Sequence, residues 1–481
     1  MIDYTNLEQY RENNRIEAKK ALGGLPHSIW ETYSAFANTL GGVILLGVEE
    51  YSDKSLHPID LPDPVGMAQE FWDKVNNPRY ASVNILSDGD VDLHTVEGRH
   101  IIAITVPRAE RFDRPVYVDR NPLSGTYRRN GEGDYRCTRE EVYSMLRDAA
   151  VRTADMKVLS DIDLSVFDSD TILRYRTHMG DQRPGHIWED LPETEFLYKI
   201  GAVGRAKDGS LHPTGAGLLM FGCEYEIVRE FPAYFLDYRE ALDEVGSWSN
   251  RLVSTSGDWS GNLYDFFCRV YRRISRDIQV PFLPAGSSTD DTPIHRALRE
   301  ALVNSIINAD YYGRQGLVVT KSLDRITISN PGGFRIGIEA AKHGGVSDPR
   351  NAGLIKMFNL VNVSQRAGNG ILNIYSVWRE QGWVLPTIQE SFAPDRITLS
   401  LSIKKRGRGR VTDKTISQKA AILEYLTDHV SANRTQLARL LGVREARANK
   451  LLVQMINSGT LVAEGQGASR IYKLRSEAIQ S

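Results

Sequence analysis

Residues 294–309 read IHRALREALVNSIINA, and this stretch decides the architecture predicted for the middle of the chain. The pattern predicts a helix that places Glu300 and Asn304 four residues apart, on one helical face. Strand-like runs follow this helix at Leu317–Thr320, Ile326–Ser329 and Arg396–Ile403. The middle of the chain, about residues 160–403, is therefore expected to mix helices and strands.

The spacing of Glu300 and Asn304 suits the chemistry of a nucleotide site. There, a carboxylate orients an attacking water while an amide oxygen holds Mg²⁺. Two glycine-rich turns support this reading, Asn-Pro-Gly-Gly at 330–333 and Gly-Asn-Gly at 368–370, because glycine lets the backbone approach a nucleotide closely. The alternative is that the pair lies on an ordinary solvated helix surface.

The C-terminal end follows the order of a winged helix-turn-helix. Helical patterns run over about 415–428, 433–441 and 444–458, and strands are predicted at Thr460–Ala463 and Arg470–Leu474, around the turn 465–467. A recognition helix needs long basic or amide side chains that reach phosphates and base edges. The candidates on the third helix and in the wing are Arg444, Arg447, Asn449, Lys450, Arg470 and Lys473. The alternative is a winged helix used only for protein contacts.

Charge is distributed unevenly along the chain. The net charge is −2, yet residues 404–475 carry 15 Lys and Arg against 5 Asp and Glu. A basic end on an acidic body favours an anionic polymer, here DNA, as the partner, although a solvated tail has the same composition. Residues 404–410, KKRGRGR, are predicted to be a flexible basic linker.

The N-terminal end predicts an α+β domain. A helix over residues 27–40 ends at Gly41-Gly42, and a buried strand is predicted at Val43–Val48. Further strands are predicted at Ile101–Val106, Pro115–Val118 and Thr126–Arg129, and a capping box at Thr138–Glu141 opens a helix to about Ala150.

Composition limits the class of protein. The 481 residues are 41% hydrophobic and 25% charged, which is typical of several globular domains. No apolar stretch approaches the roughly 20 residues of a membrane span, and the polar start has no secretory pattern. Cys137, Cys223 and Cys268 are too widely spaced for a disulfide framework or a zinc site. A cytoplasmic protein without membrane contact is expected.

The middle of the chain resembles a helicase-related group of the GHKL ATPase superfamily. The resemblance lies in residues 299–304 (REALVN), 310–311 (DY), 330–333 (NPGG), 350–351 (RN) and 368–371 (GNGI), with residues 211–222 (LHPTGAGLLMFG) resembling the connector that precedes it. It implies that Glu300 activates water, Asn304 binds Mg²⁺, and Asn330 takes the place of an adenine-binding aspartate. Gly332, Gly333, Gly368 and Gly370 would line the nucleotide. ATP and Mg²⁺ are the implied cofactors, with weak ATPase activity or a degenerate scaffold as the alternatives, and without a P-loop no helicase activity is expected.

The N-terminal end resembles the Schlafen-type AlbA-like domain, over residues 10–148. Residues 17–20 (EAKK) and 35–49 (AFANTLGGVILLGVE) carry the resemblance. In some relatives this domain is an endoribonuclease that uses three carboxylates, and Glu12, Glu17 and Glu50 fall on the matching positions. The alternative is that these glutamates are structural and the domain only binds nucleic acid. Arginines that would form its phosphate-binding face are Arg108, Arg111, Arg114, Arg120, Arg128 and Arg129, unless they are scattered surface residues.

Together these patterns predict an α+β multidomain protein with an AlbA-like domain, a GHKL-like α/β sandwich and a winged helix. The predicted boundaries are 1–150, a connector at 160–285, the ATP-binding domain at 286–403, the linker at 404–410 and the winged helix at 411–481. The expected function is that of an ATP-sensing, DNA-binding transcriptional regulator, with RNA as a second candidate partner. A metal-dependent nuclease is the alternative. Paired half-sites on DNA favour a homodimer.

Overall fold

The computed structural model of the protein describes most of the chain. The described residues are 2–241, 250–276, 278, 292–363, 368–392, 394–404, 413–429, 431–457, 460–465 and 470–474. Residues 405–410 of the predicted linker, residues 466–467 of the predicted wing turn and the domain boundary predicted at 285/286 lie outside them. The chain forms two compact units, one of Met1–Met145 with Gly407–Ser481 and one of Leu146–Arg406. No helix in the described residues is long and apolar enough to cross a membrane.

The secondary structure mixes helices and strands throughout, as predicted. The helices are α1 Ile29–Ala37, α2 Pro64–Val75, α3 Pro122–Gly125, α4 Arg139–Ala149, α5 Ser169–Gln182, α6 Glu193–Ile200, α7 Gly215–Phe221, α8 Glu224–Glu230, α9 Leu263–Ser275, α10 Pro293–Asn308, α11 Ile338–His343, α12 Ala352–Leu360, α13 Gly370–Glu380, α14 Asp413–Asp428, α15 Arg434–Leu440 and α16 Glu445–Asn457. The strands are β1 Ile16–Lys19, β2 Gly42–Leu46, β3 Val48–Glu50, β4 Leu56–Pro58, β5 Val91–Val96, β6 Arg99–Val106, β7 Tyr127–Asn130, β8 Gly133–Arg136, β9 Val203–Arg205, β10 Leu211–Pro213, β11 Leu236–Ala241, β12 Asn250–Val253, β13 Leu317–Ser322, β14 Arg325–Pro331, β15 Thr387–Phe392, β16 Asp395–Ser402, β17 Ala432–Asn433, β18 Leu461–Glu464 and β19 Ile471–Leu474.

The N-terminal part of the first unit is built on a sheet of order β1-β2-β6-β5. Helix α1 packs on it through a buried face that includes Trp30 and Phe36. The predicted strand Val43–Val48 is wrong in extent, because Gly47 adopts a φ of +80° and separates β2 from β3. A Cβ at Gly47 would lie 2.7 Å from the Leu61 side chain, so this break accommodates close packing.

Two further predictions in this domain have different outcomes. The capping box is confirmed: the backbone amide of Thr138 donates to Glu141 at 2.7 Å, and the amide of Glu141 donates to the Thr138 hydroxyl at 3.3 Å. The strand predicted at Pro115–Val118 is wrong, because only an isolated bridge between Tyr117 and Thr126 forms there. The proline that begins this run lacks the amide that a regular ladder requires.

The C-terminal module, residues 413–474, contains α14, α15 and α16 and a sheet of order β17-β19-β18. It packs on N-terminal residues of the same unit. The ring of His429 lies 4.0 Å from Tyr10 and 3.7 Å from Tyr425, and Tyr425 donates a hydrogen bond to Gln9 at 3.1 Å. Burial lowers the pKa of His429 to about 4, so the imidazole is neutral at physiological pH.

The second unit has a six-stranded sheet of order β12-β11-β13-β14-β16-β15. Strands β11 and β13 are parallel and the other pairs antiparallel. Helices α10 and α13 contact each other, and α10 also packs on β14. The predicted helix at 294–309 is confirmed as α10, with Thr292 as its N-cap and Pro293 in its first turn.

The region predicted as a connector shares its core with the residues that follow it. One continuous apolar core extends from Leu159 to Leu401. The carboxylate of Asp155, only 1% exposed, accepts hydrogen bonds from the amides of Gly353 at 2.8 Å and Leu354 at 3.0 Å, at the start of α12. The described residues of the predicted connector and of the predicted ATP-binding domain therefore belong to one unit.

Candidate functional site

A cavity of about 130 Å³ lies in the second unit and is called here the sheet–helix cavity. It collects most of the residues that the sequence nominated for a nucleotide: Glu300, Asn304, Asn330, Gly333, Gly368 and Gly370. Gly332 does not line it but precedes Gly333 in the same turn. The glycine turns at 330–333 and 368–370, which begin 22 and 60 residues after the end of α10, thus meet that helix at a single cavity.

Helices α10 and α13 form one end of this cavity. Glu300 and Asn304 project from adjacent turns of α10, and α13 begins against them at Gly370. A Cβ at Gly370 would lie 2.4 Å from Glu300 Oε1 and 2.6 Å from Asn304 Nδ2. A side chain at this position would therefore move the ends of both the Glu300 and Asn304 side chains.

The N-terminus of α13 is suited to an anion. The helix is 11 residues long, and no side chain caps its first amides. Such amides point outward with the positive end of the helix dipole, which favours phosphate groups. The Asn369 side chain instead accepts a hydrogen bond from the amide of Gly345 at 3.1 Å, which holds the neighbouring loop.

The wall opposite these helices is an apolar strip of the sheet. Asn330 pairs with Ile397 across β14 and β16, and Leu399 pairs with Ile388 across β16 and β15. Directly opposed residues share a face, so these side chains lie together. Ile388, Ile397 and Leu399 were not among the predicted site residues, although apolar residues alternate along Arg396–Ile403, which contains the last two.

Arginine 350 fixes the turn 330–333. A Cβ at Gly332, whose φ is +95°, would lie 2.5 Å from the Arg350 guanidinium. Arg350 donates to both carboxylate oxygens of Asp148 at 2.8 Å and to the carbonyl of Gly333 at 2.9 Å. Burial alone would lower the pKa of Arg350, but Asp148 raises it above its usual value. Arg350 is therefore a positioning residue for the turn.

A second cavity, of about 370 Å³, adjoins the first. Glu300 and Gly370 line both cavities, and the second is also lined by Arg296, Arg299 and Asn373. The two cavities therefore meet at the predicted water-activating carboxylate. The second one adds guanidinium groups to the uncapped end of α13.

The N-terminal carboxylates lie near one another but have internal partners. Glu12 accepts a hydrogen bond from the amide of Ala18 at 3.0 Å, and burial together with the neighbouring Glu17 raises the pKa of Glu12 to about 7. Glu17 pairs with Arg129 at 2.8 Å and with Lys19 at 2.9 Å. Across the described parts of the chain, no group of three or more His, Cys, Asp or Glu residues could hold a metal.

Glu50, the third predicted carboxylate, also faces a cation. Its Oε2 lies 3.1 Å from Lys54 Nζ, and Lys54 contacts Glu132 at the same distance. Lys54 has a φ of +70°, in the left-handed region that non-glycine residues seldom occupy. Electrostatic interaction with Glu50 contributes to the raised pKa of Glu12.

Several predicted phosphate-binding arginines are buried. Arg129 is 3% exposed and donates to the carbonyl of Asn13 at 2.9 and 3.0 Å, besides its ion pairs with Glu17 and Asp134. Arg111 and Arg128 are also buried, and Arg108 is half-buried. Burial of Arg111, Arg114, Arg128 and Arg129 corrects the predicted arginine face, of which Arg108 and Arg120 are the more accessible members.

The basic residues of the C-terminal module are more accessible. Arg444, Lys450 and Arg470 are exposed, whereas Arg447 and Asn449 are half-buried. Lys473 pairs with Glu464 across β18 and β19 at 2.7 Å. Exposed cations therefore lie immediately before α16, at Arg444, and in its second turn, at Lys450.

Three family models match separate parts of the chain. Residues 12–138 match "Schlafen, AlbA_2", residues 318–399 match "Putative ATP-dependent DNA helicase recG C-terminal", and residues 143–237 match a domain of unknown function. The chain thus contains an AlbA_2 domain and a recG-like domain. The recG-like match includes Asn330 and both glycine turns but begins after α10, which carries Glu300 and Asn304.

Two solved structures are similar to parts or all of the chain. The DIP2311 protein from Corynebacterium diphtheriae has 18% sequence identity and a TM-score of 0.40, over 97% of this chain and 93% of that one. The N-terminal domain of a putative ATP-dependent DNA helicase RecG-related protein from Nitrosomonas europaea has 32% identity and a TM-score of 0.21, over 26% of this chain and 85% of that one. TM-scores this low do not establish a shared fold. A comparison with curated proteins gave no match.

Proposed function

We propose that this protein is a DNA-binding regulator whose recG-like region binds ATP in the sheet–helix cavity. One observation carries the proposal: Glu300, Asn304, Asn330 and the glycines of two distant turns line a single cavity. The family matches give independent support for a DNA-related protein that uses ATP.

Separate parts of the cavity are suited to the base and to the phosphates of a nucleotide. The strip with Ile388, Ile397 and Leu399 offers an apolar wall to the base. The uncapped amides of α13 then receive the phosphates, with the terminal phosphate towards Arg296 and Arg299. This orientation places the negative end of the ligand beside the positive groups.

In this proposal, Glu300 is the general base for ATP hydrolysis. Its carboxylate accepts a proton from the water whose oxygen attacks the γ-phosphorus, and the bond to the β–γ bridging oxygen breaks. Asn304 offers an amide oxygen, a ligand that fits Mg²⁺ when phosphates provide further oxygen ligands. Bound Mg²⁺ would neutralise phosphate charge.

The winged-helix proposal for the C-terminal module supplies the DNA contact. Three helices followed by paired strands β18 and β19 have the required order, and exposed cations lie just before α16, at Arg444, and within it, at Lys450. Nucleotide binding regulates DNA affinity only if ATP has different affinities for two arrangements of the chain that also differ in DNA affinity. ATP should then change the DNA dissociation constant, and DNA should change the ATP constant by the same factor.

Calorimetric titration of Mg·ATP into the full chain tests the cavity assignment. We expect one site per chain, with an increase in melting temperature at saturating nucleotide. Glu300→Gln should retain ATP affinity while the hydrolysis rate falls about 100-fold or more. Absence of binding heat and of thermal stabilisation at millimolar ATP would contradict the proposal.

DNA binding and oligomeric state need separate measurements. Duplex affinity should fall steeply with sodium chloride, because phosphate neutralisation releases counterions. Sedimentation should give a dimer, as two-fold pairing of the C-terminal modules on DNA implies. Salt-independent or negligible duplex binding would contradict the regulator proposal.

A metal-dependent nuclease is the second candidate, because Glu12, Glu17 and Glu50 all lie within the AlbA_2 match. The cations paired with Glu17 and Glu50 place this candidate behind the first. Labelled RNA and single-stranded DNA incubated with Mn²⁺, and then with EDTA, test it. Cleavage that is lost in Glu17→Ala would establish the nuclease, whereas intact substrate under tight binding would exclude it.

A further inference from the structure

The cavity wall that is proposed to contact the base includes one polar side chain of β14, that of Asn330. Asn330 is 3% exposed, and its neighbours on the same face are Ile328 and Ile397. Ser329 and Thr398 lie on the opposite face, where their hydroxyls bond to each other at 2.9 Å. Asn330 therefore presents an amide at the end of an apolar strip.

The Asn330 amide is weakly held within the described structure. Its Nδ2 donates to the carbonyl of Pro331 at 3.4 Å, which is longer than the usual range of about 2.7–3.2 Å. A primary amide has an acceptor oxygen and two N–H donors on one planar group. Rotation by half a turn exchanges donor and acceptor at little cost when the existing hydrogen bond is long.

This chemistry determines which bases fit. Adenine presents an amino donor at C6, whereas guanine presents a carbonyl acceptor at the equivalent position. An amide that turns freely satisfies either edge, and a carboxylate satisfies only the donor. We propose, on the premise that the cavity binds a nucleotide, that it accepts purine nucleoside triphosphates without discriminating adenine from guanine, and that Asn330 is the residue responsible.

Calorimetric titrations of ATP, GTP and ITP into the wild-type full chain test this inference. We expect the three dissociation constants to agree within about fivefold, because each base gains one comparable hydrogen bond. In Asn330→Asp, GTP and ITP should bind about 10- to 100-fold more weakly than ATP, since a carboxylate facing a carbonyl leaves both acceptors unpaired. Ser329→Ala, on the opposite face, is the control and should keep the wild-type ratios.

The outcomes separate this inference from its premise. Wild-type preference for ATP over both GTP and ITP by more than about 30-fold would overturn it, as would unchanged ratios in folded Asn330→Asp. The wild-type ratios decide the matter even if Asn330→Asp does not fold. Failure of all three nucleotides to bind folded wild-type protein would instead overturn the proposed function, and the inference with it.

Discussion

The two carboxylate-bearing regions of this molecule differ in what surrounds their glutamates. In the second unit, Glu300 lines two adjoining cavities beside an uncapped helix N-terminus. In the first unit, Glu17 and Glu50 lie within ion-pair distance of Arg129 and Lys54. The Glu300 region borders cavity space that Arg296 and Arg299 also line, whereas Glu17 and Glu50 pair with cations of their own domain. Proximity of acidic residues is therefore a weaker guide to function than the groups that face them.

The largest expected effect is the loss of stability when Arg129, the cation that faces Glu17 in the first unit, is removed. Arg129→Met leaves the Glu17 and Asp134 carboxylates without their buried partner, so unfolding free energy should fall by about 3–5 kcal/mol. Urea denaturation of the full chain provides the measurement. Arg15→Met, at an exposed position of the same domain, is the control. Equal stability of the two variants would show that Arg129 is not structural.

A side chain at position 370 should impair ATP turnover at the Glu300 site of the second unit without unfolding the protein. Gly370→Ala pushes Glu300 and Asn304 aside, and displacement of functional groups by about 1 Å costs roughly 100-fold in ATP turnover. Gly337→Ala is the matched control, because its Cβ meets no atom within 4 Å. Turnover and ATP affinity should be measured together. Wild-type ATP turnover and affinity in Gly370→Ala would contradict the role assigned to this glycine.

The pH dependence of folding stability tests the environment of Glu12 in the first unit. The pKa of Glu12 is about 7 in the folded chain against an ordinary 4.5, so the folded state binds more protons between these values. Stability should consequently fall as pH rises from 5 to 8. Glu12→Gln should flatten this dependence in urea titrations, with Glu70→Gln on α2 as the control. A profile that stays as steep in Glu12→Gln would contradict the assignment.

The smallest expected effect concerns the C-terminal module. Lys450→Ala removes one exposed cation from α16, so duplex DNA binding should weaken and the slope of log K against log salt should decrease by about 1. Fluorescence anisotropy at several salt concentrations measures both. Lys74→Ala on α2 should leave the slope unchanged. Identical slopes in all three proteins would remove Lys450 from the DNA interface.

Sequence patterns predicted the local elements of the site well. Helix α10 follows its predicted limits within one residue at either end, and the Glu300–Asn304 spacing places both side chains in one cavity. The glycine turns were predictable because glycine residues mark close backbone approach. These features depend on residues that are neighbours in the chain.

Features that depend on distant residues were not predictable. The arginines after β6 look alike in sequence, yet Arg129 is buried by residues more than 100 positions away. The break at Gly47 likewise follows from its contact with Leu61 rather than from the apolar run itself. Burial of a charge or a turn within an apolar run is decided by tertiary packing, which periodicity does not encode.

Hydrogen–deuterium exchange of the full chain with and without Mg·ATP tests the central claim most directly. Occupation of the sheet–helix cavity should slow exchange of backbone amides in residues 300–308, 330–336 and 368–374, and should leave β18 and β19 unchanged when DNA is absent. If exchange in those three segments is the same with and without saturating ATP, or if protection is confined to other parts of the chain, nucleotide binding at this cavity is contradicted.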